Sequence, residues 1–238
     1  MLRITDARTG ETVDAVRARR GLTRVEAHVE RDDLSALRVL LVADVLARAL
    51  ELGGTPVVTV ADPPAALRAR AEALGIRRAE GERGGAGPAL HVRVSAGQDP
   101  AVPEPPDADP APDGARVEVA PVSGTADQAL LRMILLATPR RQPLDLDAAD
   151  LDGARETLGR WRKAVAGWAT RPSRPVPEHV RQELRAAWED DLDVPAVLEA
   201  LRRVEHAEDI PDGARFETYA YADRLLGLEL TRDIGTQW

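Results

Sequence analysis

The sequence predicts an α/β fold: a small Rossmann-like domain built on a parallel sheet, followed by an all-α helical bundle. Two observations carry that reading. Short strand-like runs alternate with helical repeats up to about residue 125, and after Asp127 only helical repeats remain. With 238 residues the chain forms two lobes at most. The expected boundaries are 1–125 for the sheet domain and 126–238 for the bundle.

The elements follow in order. LRITDARTGETVDAV reads as a short strand, a turn at Thr9-Gly10 and a returning strand. LTRVEAHV, from Leu22, alternates apolar and polar residues as a half-buried strand does. DDLSALRVLLVADVLARALEL is a strongly apolar helix with Asp32 or Asp33 as N-cap and Gly53 at its end. TPVVTVAD is a buried strand, and PPAALRARAEALGI is an amphipathic helix opened by proline. ALHVRVSA and GARVEVAPV supply two more strands. Between them, at about 98–114, lies an acidic, proline-rich stretch that cannot bury a core and is expected to form an extended loop.

In the second half, DQALLRMILLA is one helix and AADLDGARETLGRWRKAVAGW a longer one. The latter places Leu151, Ala154, Leu158, Trp161, Val165 and Trp168 on one stripe at three- and four-residue steps. After the linker RPSRPVP, a helix begins at Pro177, another carries proline near its first turn at Pro195, and ARFETYAYADRLLGL closes the set. Helices of these lengths predict a bundle packed against the sheet domain.

Composition removes several functions. There is no cysteine, so disulfides, thiolate metal sites and cysteine nucleophiles are excluded. The four histidines, His28, His91, His179 and His206, are too far apart in sequence to suggest a ligand pair, so no zinc or other metal is expected. A net charge of -8 opposes nonspecific phosphate-backbone binding, and no DNA partner is expected. No run reaches the ~18 to 20 apolar residues of a membrane span, and the start lacks a secretory signal pattern, so a cytoplasmic protein without a membrane partner is expected. Lys163 is the only lysine.

The order of these segments resembles the cysteinyl-tRNA synthetase family, class I aminoacyl-tRNA synthetases with a nucleotide-binding sheet domain and a helical anticodon-side domain. The resemblance is collinear over about two-thirds of the chain. It rests on the opening strand and turn, on ALRVLLVADVLARALELGGTPVVTV with Arg38 and Asp44, on the run ending Arg141, Gln142, Pro143 and Leu144, on WEDDLDVPAVLEALR, and on ADRLLGLEL. In that family the first long helix begins with His-Ile-Gly-His, which contacts ATP phosphates; aligned through Arg38 and Asp44, those places hold Asp33, Leu34, Ser35 and Ala36. Charged hydrogen bonds supply the stabilisation in such transfers, so an acid in place of those donors should repel the triphosphate. The second signature, Lys-Met-Ser-Lys-Ser, should precede ALLRMILLA, where VEVAPVSGTADQ contains no lysine. Arg24 stands about where the first thiolate of the family's cysteine-selecting zinc site would be.

The resemblance therefore implies a shortened, degenerate paralogue without aminoacylation activity, a pseudoenzyme with no catalytic residues assigned. The expected role is a tRNA-binding or protein-interaction module. Candidate RNA contacts are Arg140, Arg141, Arg160, Arg162 and Lys163, within the one basic stretch, some of its residues on the face opposite the Leu151 to Trp168 stripe and so facing solvent. One alternative is an enzyme with rebuilt chemistry that takes ATP or another small ligand at the carboxyl ends of the strands, with Asp33, Ser35, Arg38 and Asp62 around the cleft. Another is a purely structural subunit whose cleft is plugged by Leu34, Leu37 or their apolar neighbours.

Several residues also have plain structural readings. Asp44 and Arg48 are four apart and suit a helix-surface pair. Asp32 and Asp33 suit capping. The run Glu189, Asp190, Asp191 and Asp193 suits an acidic helix start better than a Mg²⁺ site. Trp161 and Trp168, at helical spacing, suit a core more than base stacking. His91 lacks a paired nucleophile and is a poor catalytic base.

Overall fold

The computed structural model describes residues 1–16, 22–81, 89–95 and 114–236. The expected acidic loop at 98–114 lies outside them, apart from Gly114. The chain opens on a hairpin, β1 (Arg3–Thr5) antiparallel to β2 (Thr12–Asp14), turned through Gly10 at φ +72°. Next come β3 (Thr23–Ala27), α1 (Leu34–Leu52), β4 (Val57–Val60), α2 (Ala65–Ala73), β5 (Ala89–Val94) and β6 (Arg116–Val119). The second half holds β7 (Val122–Ser123), α3 (Gln128–Ala137), β8 (Leu144–Asp145), α4 (Leu151–Trp168), α5 (Glu178–Glu189), α6 (Val194–His206) and α7 (Asp212–Leu226).

Strands β3 to β6 form one four-stranded parallel sheet in the order β4-β3-β5-β6. The chain steps outward from β3 to β4, then returns to the other side of β3, so the order reverses between β3 and β5. In open α/β sheets such a reversal leaves a crevice at the carboxyl ends of the two strands. Val25, Val92, Val117 and Val119 are 0% exposed, and α1 packs across all four strands. Side chains alternate along a strand, so the other face carries Arg24, Glu26, His91, Arg93, Arg116 and Glu118. This polarity is unusual for a parallel sheet, whose two faces are ordinarily both apolar.

Helix α1 is the central element. Fourteen of its residues are buried because it meets the sheet on one side and α2 and α7 on others; an all-round apolar helix requires that placement. Its first turn is closed by Asp33, whose carboxylate accepts from the Ala36 amide at 2.8 Å, a cap contributing about 1 kcal/mol. In α4, the stripe read from sequence points inward: Leu158, Trp161 and Val165 are buried, while Leu151, Ala154 and Trp168 pack partly buried against the core. The Trp161 and Tyr219 rings meet edge to face with centroids 5.6 Å apart, and Trp168 approaches Tyr219 at 5.1 Å. Both tryptophans serve packing.

The hairpin and helical half are tied together by the acidic run. Asp191 accepts from the Thr5 amide at 2.7 Å, and its own amide donates to the Arg3 carbonyl at 2.9 Å. Asp193 caps α6 through the Ala196 amide at 3.0 Å. Among the described residues no helix is long and apolar enough to cross a membrane.

Candidate functional site

The residues expected around the sheet cleft are mostly consumed by packing. Beyond its cap, Asp33 stands beside Ser35, whose hydroxyl accepts from the Val122 amide at 3.0 Å and so positions β7 against the helix start. Leu37 is fully buried and Leu34 partly so. Asp62 lies exposed beyond β4, 3.5 Å from Arg68.

Arg38 departs furthest from a ligand-facing role. It is 0% exposed and donates to four main-chain carbonyls: Ala120 at 3.1 Å, Gln142 at 2.8 Å, Thr138 at 3.1 Å and Pro139 at 2.8 Å. Burial without a carboxylate partner pushes the guanidinium down to about 10. One side chain thereby holds the segment after β6 and the turn after α3 onto α1. Asp44 is likewise internal, accepting from Arg48 at 2.9 Å, Arg77 at 2.8 Å and Arg132 at 3.2 Å. Arg132, buried in α3, also donates to the carbonyls of Leu226 at 2.7 Å and Leu74 at 3.0 Å. Gly227 follows α7 at φ +59°, where a Cβ would stand 2.6 Å from the Arg132 guanidinium; glycine is required there for both reasons.

The five candidate RNA contacts divide. Arg140 is turned inward, donating to the Glu118 carbonyl at 2.8 Å and to the Asp191 carboxylate. Arg162 donates to the Leu228 carbonyl at 2.7 Å. Arg160 grips Glu205 with both fork nitrogens, at 2.7 and 3.3 Å. Arg141 is about half exposed, 3.6 Å from Asp191, and Lys163 is exposed on α4. Arg140 is turned from solvent because the acidic turn before α6 folds back onto it.

Glu205 also accepts from Trp161 Nε1 at 2.9 Å. Burial works to raise its proton affinity, but the bonds from Arg160 and Trp161 outweigh it and hold the carboxyl below its ordinary 4.5. A depressed folded-state value contributes stability above the unfolded value and loses it as pH falls. Wild-type chain should therefore be more stable than Glu205→Gln above about pH 4.5, with the advantage shrinking on further acidification. Urea unfolding of both proteins from neutral to acidic pH checks this, and a pH-independent difference would refute the carboxylate's part.

One group of titratable side chains was not legible from spacing. The register of β3 on β5 sets Glu26 opposite His91, and the His28 amide donates to the Val92 carbonyl just past the end of β3. His28 Nε2 lies 3.0 Å from His91 Nδ1, and that nitrogen lies 3.4 Å from Glu26 Oε2. No two histidines are close in sequence, yet these two, 63 residues apart, are brought together by parallel strand pairing. Burial lowers the proton affinity of both rings, Arg93 adds to it on each, and Glu26 opposes it. Glu26 is oriented by an ion pair from Arg24, and His91 Nε2 is buried with no hydrogen-bond partner. The only sequence signal was the shared polar phase of AHV and LHV within two adjacent strands.

Comparison with known proteins places part of this chain beside one enzyme type. Over 108 residues, 44% of the chain, it is 39% identical to an L-cysteine:1D-myo-inositol 2-amino-2-deoxy-alpha-D-glucopyranoside ligase of Streptomyces griseus. It is 36% identical over 109 residues to the ligase so named from Streptosporangium roseum. The chain spans about a quarter of the length of these relatives. No family model matches it. The relatives are cysteine ligases, in line with the resemblance to cysteinyl-tRNA synthetases.

Proposed function

We propose that this chain, similar to cysteine ligases over 44% of its length, is a protein-interaction module that does not itself activate cysteine. One observation carries the reading: every polar side chain at the place of the first ATP-contacting signature is committed to the fold. Asp33 takes the amide of Ala36, Ser35 takes that of Val122, and Arg38 is spent on four carbonyls. A triphosphate would need donors at this helix start, and it meets a carboxylate instead. The second signature's place holds no lysine, and the chain has no thiolate for a cysteine-selecting zinc. These residues do not suit ATP or that zinc site.

A protein partner is favoured over tRNA because Arg140, Arg160 and Arg162 already have internal acceptors and the net charge is -8. Phosphate contacts would need those groups free to replace counterions. The relatives' joining of L-cysteine to an inositol glucosaminide is accordingly not expected of this chain alone.

The test is cysteine-dependent exchange of pyrophosphate into ATP by the purified chain, with recovery of bound RNA from its own cells at two salt concentrations. The expected result is exchange at background and no enriched RNA. Cysteine-dependent exchange would overturn the non-activating reading, and salt-sensitive tRNA enrichment would replace the protein partner with RNA.

A further inference from the structure

We infer that Glu26, His28 and His91 form a binding site for one divalent first-row transition cation, of the kind Zn²⁺ represents, on the β3–β5 pair. The three side chains each present one ligand atom, and these atoms lie within 4.8 Å of one another. Four-coordinate zinc at ~2.0–2.2 Å from nitrogen and oxygen sets its ligand atoms ~3.3–3.5 Å apart. The two measured edges, 3.0 Å between the imidazole nitrogens and 3.4 Å from His91 to Glu26, sit close to that spacing.

The surroundings point the same way. Glu26 Oε1 is held by Arg24, which leaves Oε2 toward the histidines, and carboxylate ligands are ordinarily fixed by such an outer partner. His91 faces His28 and Glu26 through Nδ1, the nitrogen that would ligate, while its buried Nε2 points away from them. The pair also lies where the strand order reverses, with His28 one residue past the carboxyl end of β3, the position at which open α/β sheets take ligands.

Ligand chemistry selects the cation. Two imidazoles and one carboxylate suit zinc and its neighbours, whereas Mg²⁺ and Ca²⁺ require more oxygen donors. Three protein ligands leave one position open on a tetrahedral ion. The set differs from the thiolate site that the synthetase resemblance implies: there is no cysteine, and Arg24, near the place of the first thiolate, serves as the outer partner of Glu26.

Chelator-treated full-length chain should be titrated with Zn²⁺ at neutral pH by calorimetry, and with Co²⁺ followed by visible absorption. The expected result is one saturable Zn²⁺ per chain, undisturbed by excess Mg²⁺, with a four-coordinate Co²⁺ spectrum. His28 is exposed, so His28→Ala should fold and still lose at least the ~10- to 100-fold in affinity that removing an outer-shell partner costs. Glu26→Gln should weaken binding over the same range, and His206→Ala, at the end of α6, should leave it unchanged. No saturable binding, or equal affinity in His28→Ala and wild type, overturns the site.

Discussion

Asp44→Ala is expected to lower the unfolding free energy by about 3–5 kcal/mol, the cost of leaving a buried charge without its partner. Asp44 is 2% exposed and accepts from three guanidiniums carried on α1, α3 and the segment after α2. Arg132 is the vulnerable one. At 5% exposure it cannot turn to water, and its remaining acceptors are the carbonyls of Leu226 and Leu74. The variant would leave that cation in the core without the carboxylate that joins it to α1. Arg77, with a side chain 42% exposed, can rehydrate and contributes less. Urea denaturation with an unchanged slope is the measurement. A loss under about 1 kcal/mol would mean that Arg132 is not held by Asp44.

Arg38→Ala is expected to cost at least about 3 kcal/mol, because each buried carbonyl left unpaired costs about 1–3 kcal/mol and a cavity is added. The four carbonyls come from two segments that also meet through the short β7–β8 pair, the Ala120 to Arg140 backbone bond and the Arg140 side-chain bond to the Glu118 carbonyl. The same variant separates two roles. A residue that contacts a ligand could be removed with little change in stability, whereas a residue that joins segments cannot. Equal unfolding curves for wild type and Arg38→Ala would return Arg38 to the cleft and undermine the non-activating reading.

Much of the fold was legible because its signals are local. Asp33 and Gly53 bracket α1 as a cap and a stop, the Leu158–Trp161–Val165 stripe announced the inward face of α4, and Pro195 sits in the first turn of α6. The two-residue strands β7 and β8 were missed, since so short a pair has no periodicity to read. Of the candidate site residues, Asp33 was recognisable as a cap from its position alone. Ser35, Arg38 and Arg140 were not readable, because their partners are an amide, carbonyls and a carboxylate 22 to 104 residues away. An arginine's letter does not say whether it reaches water, phosphate or its own chain.

By itself the sequence determined the order of the longer strands and helices, the absence of cysteine from the chain and the likeness to cysteine-activating synthetases. Each depends on which residues are present and on spacing within one element. Tertiary structure alone decided that Arg38 and Asp44 are internal ties and that Glu26, His28 and His91 converge. Parallel strands are joined by long crossovers, so neighbours in the sheet are distant in the chain, and their side chains acquire a common chemistry only when the register is set.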